Sequence, residues 1–466
     1  MRSSFLKSSI LACLIMTPAS ASASASDSVS NAKDLLSKLI SIKTVEGSGE
    51  TKTAANYLKG EFIKAGIPDS DITRIDHEGN FSSLIVRYRG TNSGKKPILV
   101  MAHMDVVPAE RKDWSMDPFT LNEKDGLLLG RGVEDNKGGV ATTAATIIGF
   151  AHEGYKPDRD IILVYSGDEE TNGYSLMDIL KNHRELIDAE YALNTDAGGG
   201  QIRNGVATSY SIQASEKTYL SFKLSTTNSG GHSSLPRPDN AIYDLVDSLQ
   251  RVSRYQFPVM LNPVSMGYFK EISRVSPANM ATAMRTIALD PTNTAAAKIL
   301  SEQSPYYNAV MRTTCVATML DAGHAENALP QSASAIINCR IVPTQSPETV
   351  QSTLTRLVAN KNVTISRVAE PNPSEPSPLR PDVLQALGAT LLDIWGSLPI
   401  IPTMSTGATD GLYVRNAGIP VYGVSGIFTA ETDGNAHGRD ERIQLESFNK
   451  AVSHWDGLLR RLTDGK

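Results

Sequence analysis

The chain has 466 residues, 40% hydrophobic and 20% charged, with 45 basic residues against 50 acidic ones. That length exceeds one small core and predicts two domains, and a net charge of −5 gives no electrostatic reason to expect a nucleic-acid partner. Of three cysteines, Cys13 lies near the start; two others cannot build a thiolate zinc site, so any metal must be held by His and carboxylate.

Residues 1–26 read as an export leader. Arg2 and Lys7 precede a brief apolar run, Ile10 to Met16, and Pro18 leads into Ala-Ser alternation with several Ala-x-Ala cleavage options. Cys13 sits in only a loose lipoprotein box, which Leu11 fits poorly, so the expected destination is the periplasm or the outside without lipidation. No segment approaches the roughly 18 apolar residues of a membrane span.

Leu35, Leu36, Leu39 and Ile40, then Tyr57, Leu58 and Phe62, predict two helices over residues 30–66. Strand-like runs follow at 83–88 and 98–102. A Gly-rich stretch, 130–139, opens a small-residue helix over 140–152. A strand at 161–165 ends in Ser-Gly-Asp-Glu-Glu, a helix spans 176–186, and a strand at 191–194 ends in Thr195-Asp196 and three glycines. Strands alternating with helices, each strand ending in acidic residues, predict an α/β domain. Its sheet should be mixed but mostly parallel, with helices on both faces and one functional edge.

The character changes near residue 214. Lys217 to Thr226 reads as an exposed alternating strand, and Asp239 caps a helix striped by Ile242, Leu245, Val246, Leu249 and Val252. Further strands are expected at 313–320, 334–342 and 363–368, with residues 262–312 helical. Cys315 and Cys339 form either a cross-strand disulfide or two buried thiols. After Pro-rich 371–381 the first style resumes, with helices at 383–395, 410–416 and from Leu445, and strands near Ile400 and at 421–424. The expected division is therefore 27–213 with 372–466 for the α/β domain, interrupted by a smaller α+β domain at 214–371.

Chemistry concentrates where the strands end. In a strand, residues two apart share a face, so His103 and Asp105 emerge together from the 98–102 run. His103, Asp135, Glu170, Asp196 and His437 all fall at ends or edges of the predicted sheet. Adjacent Glu169 and Glu170 point opposite ways in extended chain, so one can coordinate while the other faces water. Two His and three carboxylates, one of them shared, suit two zinc ions about 3.5–4 Å apart. Taken singly, each signal is ordinary: His-x-Asp fits a solvated loop or a structural hydrogen bond, and Asp-Glu-Glu a solvated turn. Their ordered recurrence carries the argument.

The motifs H-M-D-V-V-P, G-R-G-V-E-D-N-K-G-G, Glu169-Glu170, T-D-A-G-G, G-G-H-S-S-L-P at 230–236, G-A-T-D-G at 407–411 and the His437 loop span nearly the whole mature chain. Through them it resembles the aminoacylase, glutamate carboxypeptidase and carboxypeptidase S family of dizinc metallopeptidases (peptidase family M20). The resemblance implies a zinc-exopeptidase-like catalytic domain whose inserted domain acts as lid and dimerisation unit. It implies two Zn2+ ions, with Co2+ or Mn2+ as substitutes: His103 and Asp196 on one, Glu170 and His437 on the other, Asp135 bridging. A cis peptide is implied just after Asp135. By the same likeness Glu169 is the general base, Asp105 buttresses His103, and His232 holds the oxyanion, in some relatives across a homodimer. Asn327, Arg340 and Gly407 would contact substrate. His77, His152, His183, His324 and His454 match no motif and are taken as structural or solvated.

The implied activity is hydrolysis of an amide bond in a small peptide or N-acyl amino acid with a free carboxylate, as a carboxypeptidase or dipeptidase does. An N-acyl amino acid deacylase is the alternative. A catalytically inactive peptide-binding protein is disfavoured because all five ligands, Asp105 and Glu169 are present.

Overall fold

The computed structural model describes residues 20–464 apart from 93, 431 and 432. Most of the expected leader, residues 1–19, lies outside the described residues. Helices α1 (Ser20–Ser41) and α2 (Thr51–Lys64) open the fold, and their predicted apolar stripes bury Leu35, Leu36, Leu39, Ile40, Leu58 and Phe62. Strands β1 (Ile72–Asp76), β2 (Ser82–Tyr88) and β3 (Ile98–His103) follow, then the short pair β4 (Asn122–Lys124) and β5 (Leu127–Leu129). Next come α3 (Lys137–Glu153), β6 (Ile161–Ser166), α4 (Tyr174–Asn182), α5 (Arg184–Ile187) and β7 (Tyr191–Asn194). The one helix expected over 176–186 is thus broken at His183. Strands β8 (Gly199–Arg203) and β9 (Val206–Glu216) complete this half.

A second, antiparallel sheet begins directly after β9. It is ordered β12 (Thr314–Ala322), β14 (Ser332–Ile341), β10 (Thr218–Thr227), β15 (Val363–Arg367). Strand β10 alternates as expected but is central rather than exposed: helices α6 (Ala241–Arg254) and α11 (Pro347–Val358) cover Leu220, Phe222 and Leu224. The cap of α6 is Asn240, whose side chain accepts the Ile242 N–H at 2.9 Å. Asp239 instead pairs with Arg237 at 3.0 Å, a local ion pair that competes with capping. On α6, Val246 is 48% exposed and falls off the buried stripe. Cys315 and Cys339, directly opposite on β12 and β14, are disulfide-bonded. A two-stranded pair, β11 (Gly231–His232) and β13 (Ala328–Leu329), lies outside this sheet.

Residues 262–312 form four helices, α7 (Pro263–Ile272), α8 (Ala278–Leu289), α9 (Thr294–Gln303) and α10 (Pro305–Met311). Their shared core, around Phe269, Met284, Ile287 and Leu300, includes Ile401. That residue belongs to β16 (Ile400–Ser405), which pairs in parallel with β9.

The chain then returns through α12 (Pro381–Trp395), α13 (Gly411–Asn416), β17 (Val421–Gly423), β18 (Phe428–Ala430), β19 (Arg442–Gln444) and α14 (Leu445–Thr463). Among the described residues the large sheet has ten strands, ordered β1-β2-β6-β3-β7-β17-β9-β8-β18, with β16 on β9. Its parallel centre is β6-β3-β7-β17, flanked by antiparallel β2 and β9. Alternation along β3 and β6 explains the layers. Ile98, Val100, Ile161 and Leu163 join one core with α1, α3 and α14, while Leu99, Met101, Ile162 and Val164 join the other with α4.

Candidate active site

The parallel centre of the sheet delivers its C-terminal ends to one place, the position where open α/β sheets hold ligands. His103 is the last residue of β3 and pairs in register with Ser166, the last residue of β6. Asp168 folds the next turn by accepting the Tyr174 and Ser175 N–H groups at 2.7 and 3.0 Å. Asp105 ties the two strand ends together. Its carboxylate accepts the Glu169 and Glu170 N–H groups at 3.2 and 2.9 Å, and its Oδ1 lies 3.4 Å from His103 Nδ1.

Asp135 is presented by a loop wrapped around a second buried carboxylate. Glu441 accepts the N–H groups of Gly132, Glu134 and Asp135 at 2.9, 2.9 and 3.1 Å, and the Arg131 guanidinium at 2.7 Å. Gly132 turns the loop with φ +89, and a Cβ there would stand 2.8 Å from Val106. The Asp135–Asn136 peptide is cis. The Asn136 side chain is fixed by the Thr195 hydroxyl at 2.5 Å.

These loops bring all five expected groups together. His103 Nε2 lies 2.9 Å from Asp135 Oδ1 and 3.6 Å from Asp196 Oδ1. His437 Nε2 lies 3.2 Å from Asp135 Oδ2 and 2.9 Å from Glu170 Oε2. Each oxygen of Asp135 therefore faces a different histidine. Two overlapping groups, His103 with Asp135 and Glu170, and His103 with Glu169 and Asp196, are close enough to hold a metal ion. His437 holds a left-handed φ of +62, which non-glycine residues seldom adopt.

The electrostatics are those of crowded acids around imidazoles. Burial pushes the Glu170 and Asp196 carboxyls up to about 7 and about 6. It also raises Glu169 well above the usual range, with the neighbouring Asp196 charge adding to the effect. Burial acts the same way on Asp135, but hydrogen bonds from His103 and His437 overcome it and hold that carboxyl far below the ordinary value. The hydrogen bond to Asp135 raises His437 to about 9. Such a set, with opposed groups a hydrogen bond apart and a carboxylate in the middle, is the donor chemistry a pair of divalent cations requires.

The other expected residues lie outside this cluster. His232 is exposed on β11, and its Nδ1 bonds to the Ser234 hydroxyl at 2.7 Å. The Asn327 carbonyl accepts the Ser233 N–H, which keeps Asn327 beside the His232 turn. Arg340 on β14 stacks over Tyr219, 4.6 Å from the ring centre. Gly407 needs no absent Cβ, since one there would meet only the Ser405 hydroxyl at 3.5 Å.

Two residues of the site carry no separate signal in the sequence. Glu441 belongs to the His437 loop and Asp410 to the G-A-T-D-G run. Asp410 is buried, accepts the Ser166 hydroxyl, and lines the same small cavity as His103, Glu169 and Asp196. Burial lifts its carboxyl to about 7. The signal for both was an acid embedded in a motif, but a motif does not say which acid faces the centre.

A sheet with acids and imidazoles at its parallel strand ends, beside a second, antiparallel sheet, is the setting of a hydrolytic site. The profile of Peptidase family M20/M25/M40 matches residues 99–461, and the chain belongs to that family. It is a hydrolase acting on amide bonds. It is 27% identical to the N-fatty-acyl-amino acid synthase/hydrolase PM20D1 of Xenopus tropicalis, over 92% of this chain and 85% of that protein. It is also 27% identical to the probable carboxypeptidase S-like 2 of Dictyostelium discoideum, over 91% of this chain and 84% of that one. Among solved structures, human carnosine dipeptidase 1 superposes with a TM-score of 0.68 at 16% identity, covering 96% of this chain and 99% of that one. The M20 family metallo-carboxypeptidase Sso-CP2 from Sulfolobus solfataricus gives 0.67 at 20% identity, covering 92% and 98%. At those identities the superpositions speak for the fold alone.

Proposed function

We propose that this chain hydrolyses an amide bond in a small peptide or N-acyl amino acid bearing a free carboxylate, with two zinc ions. The observation that carries this is the sharing of Asp135, one carboxylate oxygen toward His103 and the other toward His437. In this reading His103 and Asp196 would hold one ion and Glu170 and His437 the other, with Asp135 available to both. When bound, such ions supply Lewis acidity and bring the pKa of water toward neutrality.

The chain's own groups do the rest. Asp105 holds the Glu169 and Glu170 N–H groups and so sets where both side chains start. Glu169 takes a proton from the attacking water onto its carboxylate and returns it to the leaving amine, general acid–base work that calls for a raised carboxyl pKa. Arg340 has no carboxylate partner among the described residues, and its planar guanidinium suits a bidentate grip on a substrate carboxylate. His232 and Asn327, side by side on the β11–β13 turn, would approach substrate from the inserted region.

The PM20D1-type relatives support an N-acyl amino acid as substrate, and the carboxypeptidase S-like relatives support a peptide. Mass-spectrometric profiling of the zinc-loaded protein against dipeptides and N-acyl amino acids separates the two. Cleavage of neither, with full zinc content, overturns the reading. The proposal includes a leader at residues 1–26, export, and a homodimer through the inserted region. Exposed Val316, Met319 and Leu320 on edge strand β12 support that dimer, and light scattering of the mature protein tests it.

A further inference from the structure

Away from the candidate site, a cavity of about 450 Å³ opens between the end of α6, α10 and α11. Its lining includes Arg254, Arg312, Asn308, Tyr255 and Leu357 and, among the described residues, no Asp or Glu. Arg312 is only 6% exposed. Among the described residues its guanidinium meets no carboxylate: one nitrogen donates to the Phe257 carbonyl at 3.1 Å, one reaches the Ser301 hydroxyl at 3.5 Å, and Nε has no partner. A buried cation without a counter-charge is costly, and proteins ordinarily pair or ligate it.

The surroundings do not relieve the imbalance. The buried Lys217 Nζ donates to the backbone carbonyl of Arg312 itself at 2.7 Å and brings no carboxylate with it among the described residues. Arg254, on the cavity rim, has no ion pair among them either. Asn308 Oδ1 accepts from Gln256 and from Ser301, which leaves its amide N–H groups as donors without a described acceptor. Cations, a spare amide donor and space occur together here with no anion supplied by the fold.

We propose that this cavity is a binding site for a small oxyanion, of the sulfate or phosphate type, which supplies the counter-charge Arg312 lacks. Arg312 provides the buried charge, Arg254 the outer one and Asn308 a neutral donor. The site is separate from the hydrolytic centre and does not rest on the zinc reading.

Sulfate is the probe, titrated into the full-length protein against sodium chloride at matched ionic strength while thermal unfolding is followed. The wild-type melting temperature should rise with sulfate and saturate at low millimolar concentration, since a ligand specific for the native state stabilises by mass action. Two variants locate the effect. Arg254→Met should weaken the rise. Asn308→Asp places a carboxylate one hydroxyl away from the guanidinium; it should raise the melting temperature without sulfate and abolish the saturable response. No saturable response in the wild type, or an equal response in Asn308→Asp, would overturn the proposal.

Discussion

Glu441 is a fully buried carboxylate and Glu169 a half-buried one in the same hydrogen-bonded neighbourhood, and substitution should affect them differently. Glu169 makes no ion pair and accepts no side-chain hydrogen bond among the described residues, so Glu169→Gln should fold and bind zinc as the parent does. Its kcat should fall at least about 10²-fold, the lower figure for general acid–base catalysis; unchanged turnover with unchanged zinc would remove Glu169 from the mechanism. Glu441 instead anchors three backbone N–H groups and Arg131, which is itself only 2% exposed. Glu441→Ala leaves that guanidinium buried without its counter-charge, held only by the Gly438 carbonyl and the Trp114 ring, at a cost of about 3–5 kcal/mol. Urea unfolding should show the loss, and zinc stoichiometry should drop with it because the Asp135 loop loses its frame. Sequence made His103, Asp135, Glu170, Asp196 and His437 legible because each ends a strand or sits in a Gly-rich turn. It left Glu441 and Asp410 unassigned because their partners, Arg131 and Ser166, lie hundreds of residues away, and only the folded sheet brings them close.

Among elements, periodicity revealed what packs locally, and tertiary placement decided the remainder. The apolar alternation of β10 was readable, but its central position was not, because the strands that flank it come from residues 332–341 and 363–367. The α6 cap moved by one residue because Arg237 occupies Asp239. Residues 262–312 were recognisable as helical but not as four helices sharing Ile401 of β16, since a core closed against a distant strand has no local signature. The cysteines were undecided from sequence; the β12–β14 register puts them directly opposite. Their bond closes a loop with a separation of 24 residues, for which the chain-entropy account gives about 2–4 kcal/mol. Replacing both by Ser should therefore lower the stability of the second sheet by that order in denaturant titration. An edge strand fixed this way beside Arg340 should also loosen, so KM for a carboxylate-bearing substrate should rise more than kcat falls.

For the whole molecule, the buried bases set an acid limit that the candidate site does not share. His454 on α14 is wholly enclosed, stacked on Tyr210 with ring centres 5.7 Å apart, and neither ring nitrogen has a hydrogen-bond partner among the described residues. Burial lowers its pKa from the ordinary 6.5 to about 3. The unfolded chain therefore binds a proton that the folded chain refuses between those values. Stability from this group is complete above about pH 6.5 and is lost progressively as the pH falls toward 3, by about 2 kcal/mol between pH 7 and pH 5. Lys137 and Lys217, lowered by burial to about 7, act in the same direction at higher pH. The raised carboxyls of Glu170, Asp196 and Asp410 act oppositely, so the pH profile of the parent alone cannot isolate His454. His454→Phe can, because it keeps the stacked ring, forfeits no hydrogen bond and removes the titration. Urea unfolding of parent and variant at both pH values should show the variant's relative stability rising by about 2 kcal/mol on acidification. A difference that stays constant across those pH values would mean that the imidazole takes up its proton inside the folded core.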